Sequence, residues 1–150
     1  VSRIVPGTFA VKDGPSVRVR LHLPRADVRE LRRLNRPVRP PVDVRALIDT
    51  RAECSCVRRG VLDPPGLAPF GVFPTNAPAL GGFAGAFTFG VSLAVLHPSG
   101  DGRRNLVVPD IDVTELDLGS LGYDALLGRD VLARCVLTYD GPNSSFTLAY

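Results

Sequence analysis

The run Ala46-Leu47-Ile48-Asp49-Thr50-Arg51-Ala52 carries an apolar strand straight into an acid, a hydroxyl and a small residue. The continuous Ala46-Leu47-Ile48 predicts a strand covered on both faces. An aspartate at the end of such a strand is costly unless its charge is shared, paired or hydrogen-bonded. Much later in the chain, Tyr123-Asp124-Ala125-Leu126-Leu127-Gly128-Arg129-Asp130-Val131-Leu132 repeats the shape. An apolar strand meets a glycine, then charge, then the start of a helix.

The rest of the chain reads outward from these two segments as short strands and turns. Thr8 to Val11 and Ser16 to Leu23 alternate apolar and polar residues, with a turn at Lys12-Asp13-Gly14-Pro15 between them. Pro24 to Asn35 predicts a short helix with proline near its start, stopped by Pro37 to Pro41. Val42 to Asp49 is the strand that ends in the acid. Arg58 to Leu62 predicts one helical turn. Gly71 to Phe73 and Phe83 to Leu96 predict strands either side of a Gly/Pro-rich stretch. Leu106 to Val113 predicts a strand, Thr114 to Leu121 a short helix or turn, and Gly128 to Ala133 a short helix. A hairpin, Cys135 to Tyr139 with Ser145 to Tyr150, closes the chain. The expected architecture is all-β, with two or three short helices, in one domain over residues 1–150.

Composition agrees with that class. The chain has 150 residues, 45% hydrophobic and 22% charged, enough for its own core and too apolar for disorder. Fifteen glycines and fourteen prolines argue against a bundle of long helices. Residues 1–60 hold fourteen basic and six acidic side chains, against four and nine in residues 61–150. The arginines alternate with apolar residues, as in Val17-Arg18-Val19-Arg20-Leu21, which is the pattern of a solvated strand face. A nucleic-acid surface built on Arg29, Arg32, Arg33, Arg36 and Arg39 is the weaker reading, and no nucleic acid is expected as a partner.

Pro64 to Gly100 contains no Asp, Glu, Lys or Arg, and Ala79 to Leu96 is long enough to span a membrane as a helix. Four glycines within it suit a hairpin better, so no membrane partner is expected. Cys54, Cys56 and Cys135 are too few for a disulfide framework, and neither His22 nor His97 completes a zinc spacing. No metal or other cofactor is expected. Reduced thiols and no visible signal peptide point to a cytoplasmic protein.

Taken in order, Asp49-Thr50 with Ala52, the glycine-rich Leu80-Gly81-Gly82-Phe83-Ala84-Gly85, and Leu126-Leu127-Gly128-Arg129-Asp130 resemble the motifs of retropepsin-like aspartic proteases, the bacterial single-domain group above all. The likeness covers most of the chain from Pro41 onward. It implies a retropepsin-like half-barrel acting as a homodimer on a peptide or protein substrate, with one Asp49 from each copy. Two carboxyls about 3 Å apart cannot both ionise, and so act as base and acid together. The resemblance further implies that Thr50 bridges to its mate and that Arg129 pairs with Glu53. It makes Leu80 to Gly85 the tip of a flap over the substrate. The terminal strand ending at Tyr150 is implied to join the sheet between subunits.

Position 51 departs from the family pattern, which has glycine there. An arginine is expected to crowd the space beside the two carboxyls and to favour their ionised form, leaving activity weak or lost. If the backbone there used positive φ, Arg51 would add strain. The expected function is therefore an aspartic endopeptidase, weakened or inactivated by Arg51; the alternative is a catalytically dead peptide-binding or dimerisation module of the same fold. A plainer reading also stands, in which Asp49 only caps its own turn.

Overall fold

The computed structural model describes residues 3–77 and 82–150. Strands β1 (Ile4–Thr8), β2 (Ser16–His22), β3 (Val42–Ile48), β4 (Cys56–Arg58) and β5 (Gly71–Ala77) come first. They are followed by β6 (Gly82–Val95), β7 (Leu106–Leu116), β8 (Ala125–Leu127), β9 (Val136–Asp140) and β10 (Ser145–Ala149). Helix α1 (Arg25–Arg33) follows β2, and the single turn of α2 (Arg129–Leu132) follows β8.

Seven strands form the main sheet in the order β2-β3-β8-β4-β7-β6-β5, and a further β2–β6 pairing bends it into a barrel-like ring. Strand β6 is long enough to pair with β5 through residues 82–88 and with β2 through residues 92–95. On β2 the inward Val17, Val19 and Leu21 are buried while Arg18 and Arg20 stay exposed, as the alternation predicts. Val57, Val91, Val95, Val113 and Leu127 fill the same interior, each fully buried branched side chain contributing about 1.5–3 kcal/mol. The outward Arg20 makes two hydrogen bonds to Asp43 across the β2–β3 pair, at 2.6 and 2.8 Å.

The second sheet has three strands, β1-β10-β9. Val5, Phe146 and Leu148 seal it onto the main core. The terminal strand β10 lies in its middle, with β1 on one side and β9 on the other.

Most predicted elements appear, with shifted ends. The first strand lies at Ile4–Thr8 rather than Thr8 to Val11, because Pro6 is tolerated on an edge strand. Where a helical turn was expected over Arg58 to Leu62, Arg58 instead ends the short strand β4, which pairs with both β7 and β8, and hydrogen-bonded turns follow. Strand β7 runs on to Leu116, where a helix or turn was expected from Thr114; one 3-10 turn follows at Gly119–Leu121. The apolar Ala79 to Leu96 stretch contributes β6, and no helix among the described residues is long and apolar enough to cross a membrane.

Candidate active site

Strands β3 and β8 run parallel, pairing Ala46 with Ala125, Leu47 with Leu126 and Ile48 with Leu127. The two segments singled out in the sequence therefore end side by side. The Asp49 amide extends that ladder by one bond, donating to the Leu127 carbonyl at 3.1 Å. Asp49 itself is half-buried, because it stands one step beyond the covered part of its strand.

Its carboxylate turns back on its own loop. Oδ1 accepts the amides of Arg51 at 2.9 Å and Ala52 at 3.2 Å. This is the turn-capping bond an aspartate makes at a strand end. It fixes the side chain's direction and leaves Oδ2 outside every hydrogen bond of the described residues.

Thr50, Arg51 and Glu53 are exposed, and Ala52 is half-buried. The described ion pairs do not join Arg129 to Glu53; Arg129 reaches the loop in another way. Its amide donates to the Ala52 carbonyl at 2.9 Å and its Nη1 to the Thr50 carbonyl at 3.4 Å. Arg51 is not in the left-handed region, so it fits the backbone here without strain. It takes part in none of the described ion pairs.

Two residues that carry the geometry were not among the expected site residues. Asp130 accepts the Ser55 amide at 2.8 Å and the Ser55 hydroxyl at 2.7 Å, and also caps Val131 at 2.8 Å. Ser55, buried to 1% exposure, in turn accepts the Gly128 amide at 3.0 Å. This clamp ties the end of the Asp49 loop to the turn after β8. Gly128 belongs to it through space rather than φ: an added Cβ would lie 2.5 Å from the Cys54 carbonyl carbon and 2.9 Å from the Ser55 nitrogen. The sequence signal was present in Gly-Arg-Asp, but its partner, an ordinary serine between two cysteines, had none.

Of the expected flap residues, Leu80 and Gly81 lie outside the described residues. Gly82, Phe83 and Ala84 are paired through their backbones with Ala77, Asn76 and Thr75 in the β5–β6 hairpin. Gly85, opposite Pro74, is exposed, and Val72 Cγ1 occupies the space where its Cβ would stand.

The thiols fit a packing role. Cys56 is buried, and burial above all pushes its thiol up to about 12, with Cys54, Asp130 and Asp49 acting in the same direction. No group of three His, Cys, Asp or Glu side chains among the described residues is arranged to hold a metal. A cavity of about 560 Å³ lies between β1, β2 and the 97–105 loop, lined by Arg18, Asp43 and His97 among others, and does not include Asp49.

This is the fold of the retropepsin-like aspartic proteases: a mainly β chain with a barrel-like sheet and two helices. Among solved structures, a retropepsin-like aspartic protease from Rickettsia conorii matches with a TM-score of 0.58 and 14% identity. The match covers 100% of this chain and 93% of that one. No family model and no curated protein matches the sequence.

Proposed function

We propose that the protein is an aspartic endopeptidase whose reacting pair is Asp49 from each of two copies, held at low activity by Arg51. The observation that carries this reading is the placement of Asp49. It stands at the end of β3, just past the buried Ile48, aimed by two backbone amides, in a loop locked to the turn after β8. A peptide bond cleaved this way needs a carboxylate to take a proton from water as its oxygen attacks the carbonyl carbon. It also needs a carboxylic acid to hand its proton toward the leaving side. One chain supplies one such carboxyl, and a symmetric pair supplies both. The unengaged Oδ2 is the oxygen left for this work.

Arg51 acts against it. Its side chain stands next but one to Asp49, twice in a symmetric pair, where it crowds a substrate backbone and favours two ionised carboxylates. Cleavage of an unstructured protein at mildly acidic pH, compared with Asp49→Asn, tests the reading. Slow cleavage that disappears in Asp49→Asn is expected, and equal rates in the two proteins would remove the catalytic claim.

A second reading, a module of this fold that holds a peptide without cutting it, is favoured by the same Arg51. Saturable peptide binding with no turnover, in the wild type and in Arg51→Gly alike, would select it.

A further inference from the structure

The chain's arginines fall into two arrangements. On β2, Arg18 and Arg20 alternate with the buried Val17, Val19 and Leu21, the pattern of a solvated strand face that weighs against a nucleic-acid partner. The connection from β2 to β3 is built differently. Residues 24–41 hold six arginines against Asp27 and Glu30. Helix α1 fully buries none of its nine residues, and the half-buried Val28 and Leu31 mark its side toward the protein. At about 100° per residue, Arg25, Arg29 and Arg32 fall within about 60° of one another, all exposed. The chain then turns back at Asn35, which has φ 51°. The Asn35 amide donates to the Arg32 carbonyl at 3.1 Å and the Arg36 amide to the Leu31 carbonyl at 2.8 Å. Exposed Arg36 and Arg39 follow that reversal. The Arg39 stem rests on the turn at Gly66, whose added Cβ would lie 2.9 Å from Arg39 Cδ.

Arg25, Arg29, Arg32, Arg36 and Arg39 take part in none of the ion pairs among the described residues, whereas Arg33 is held by Glu30 at 2.7 Å. Like charges three or four positions apart on a helix repel, and Arg25 with Arg29 and Arg29 with Arg32 are such pairs. The cluster costs the chain stability that a bound polyanion would offset. The kind of polyanion follows from what residues 24–41 lack. A helix lying on a membrane needs an apolar face, and a stable protein interface needs an aromatic or aliphatic anchor. These residues include no aromatic, and Leu34 is their one exposed large hydrophobic. Single strands are held in large part by stacking bases on aromatic rings. A duplex backbone asks only for spaced cations, and the guanidinium fork suits phosphate oxygens.

We propose that α1 and the segment after it bind the phosphate backbone of a nucleic-acid duplex, without reading its sequence. The surface is separate from the Asp49 loop. The connection joins β2 and β3 at the Leu21–Val42 end of their ladder, and β3 then runs its seven residues, about 20 Å, before Asp49. Duplex binding leaves Asp49 unobstructed, and it stands whether or not the protein cuts peptides. Up to five phosphate contacts set the scale. The logarithm of affinity is expected to fall with the logarithm of salt concentration at a slope of about −3 to −4.5, from a Kd of about 1–100 μM near physiological salt.

The test is fluorescence anisotropy of end-labelled duplexes of about 20 base pairs, one DNA and one RNA of the same sequence, titrated with the full chain between about 50 and 200 mM salt. Binding to either duplex with the stated slope supports the proposal, and the tighter of the two names the source. Arg25→Gln/Arg29→Gln/Arg32→Gln keeps good helix formers in α1 and is expected to weaken binding about tenfold or more, flattening the slope by about 2.7. Arg18→Gln/Arg104→Gln/Arg134→Gln removes the same charge elsewhere on the exposed surface and is expected to change affinity less than about threefold. Equal losses in the two triple variants overturn the proposal, since binding would then follow net charge alone. No duplex binding at about 50 mM salt, or a response flat in salt, also overturns it. So does tighter binding to the single strand, to vesicles containing phosphatidylserine or to polyglutamate, each of which would give the surface to another partner.

Discussion

Asp49 and Asp130 stand just beyond the ends of neighbouring parallel strands, and the protein uses them in opposite ways. Asp130 spends both oxygens on the protein: it holds Ser55 by amide and hydroxyl and caps Val131. Asp49 spends one oxygen on two amides of its own exposed loop. A carboxylate saturated by buried donors is a structural part, whereas one oriented through a single oxygen is free to meet a ligand or a second carboxyl. The contrast separates the two acids where motif reading alone does not.

The largest expected effect comes from removing the saturated acid. Asp130→Ala leaves the Ser55 amide, the Ser55 hydroxyl and the Val131 amide without their acceptor, and should cost about 2–4 kcal/mol in urea denaturation. Asp49→Ala should cost under about 1 kcal/mol, since its donors sit in an open loop. Equal costs would break the comparison. Gly128→Ala comes next, at about 1–3 kcal/mol, because its Cβ would press on the backbone of Cys54 and Ser55.

A smaller effect sharpens the picture of the loop's buried side. The folded protein keeps the Cys56 proton to about 12, against an ordinary value of 9.0. The unfolded chain therefore releases a proton first, and stability should fall as pH rises from about 9, less so in Cys56→Ala. Thiol labelling should follow exposure: Cys54 fast, half-buried Cys135 slower, and Cys56 only on unfolding.

The smallest effect concerns the barrel's outer face. Arg20, first through its hydrogen bonds and then through its charge, holds Asp43 below its ordinary 3.8. A depressed carboxyl adds stability above that value and loses it as pH falls through the folded one. Asp43→Asn should therefore cost about 0.5–1 kcal/mol at neutral pH and nothing in strong acid, by thermal melting.

Much of this was legible in the residues. The apolar run Ala46-Leu47-Ile48, its echo at Ala125-Leu126-Leu127 and the alternation of β2 located the strands, because core-facing periodicity is written locally. The ends of β1 and β7 and the short β4 were not legible. Three residues carry too little pattern, and β4 is a strand only because β7 and β8 flank it. Within the candidate site, the motifs singled out Asp49 and Arg129, whose loops the structure bonds together. The Arg129–Glu53 pair was expected, yet Arg129 holds main-chain carbonyls, since the loop's backbone lies nearer than that side chain. Ser55 was missed because its value is its position 75 residues from Asp130, a proximity only the folded sheet creates.

Asp49 as the reacting acid, with Arg51 the brake beside it, is the proposal on which the rest depends. The most direct measurement is the rate of cleavage of an unstructured protein at mildly acidic pH by Arg51→Gly and by the double variant Asp49→Asn/Arg51→Gly. Arg51→Gly is expected to cut faster than the wild type, and the double variant is expected not to cut. Equal cleavage by the single and double variants would contradict it.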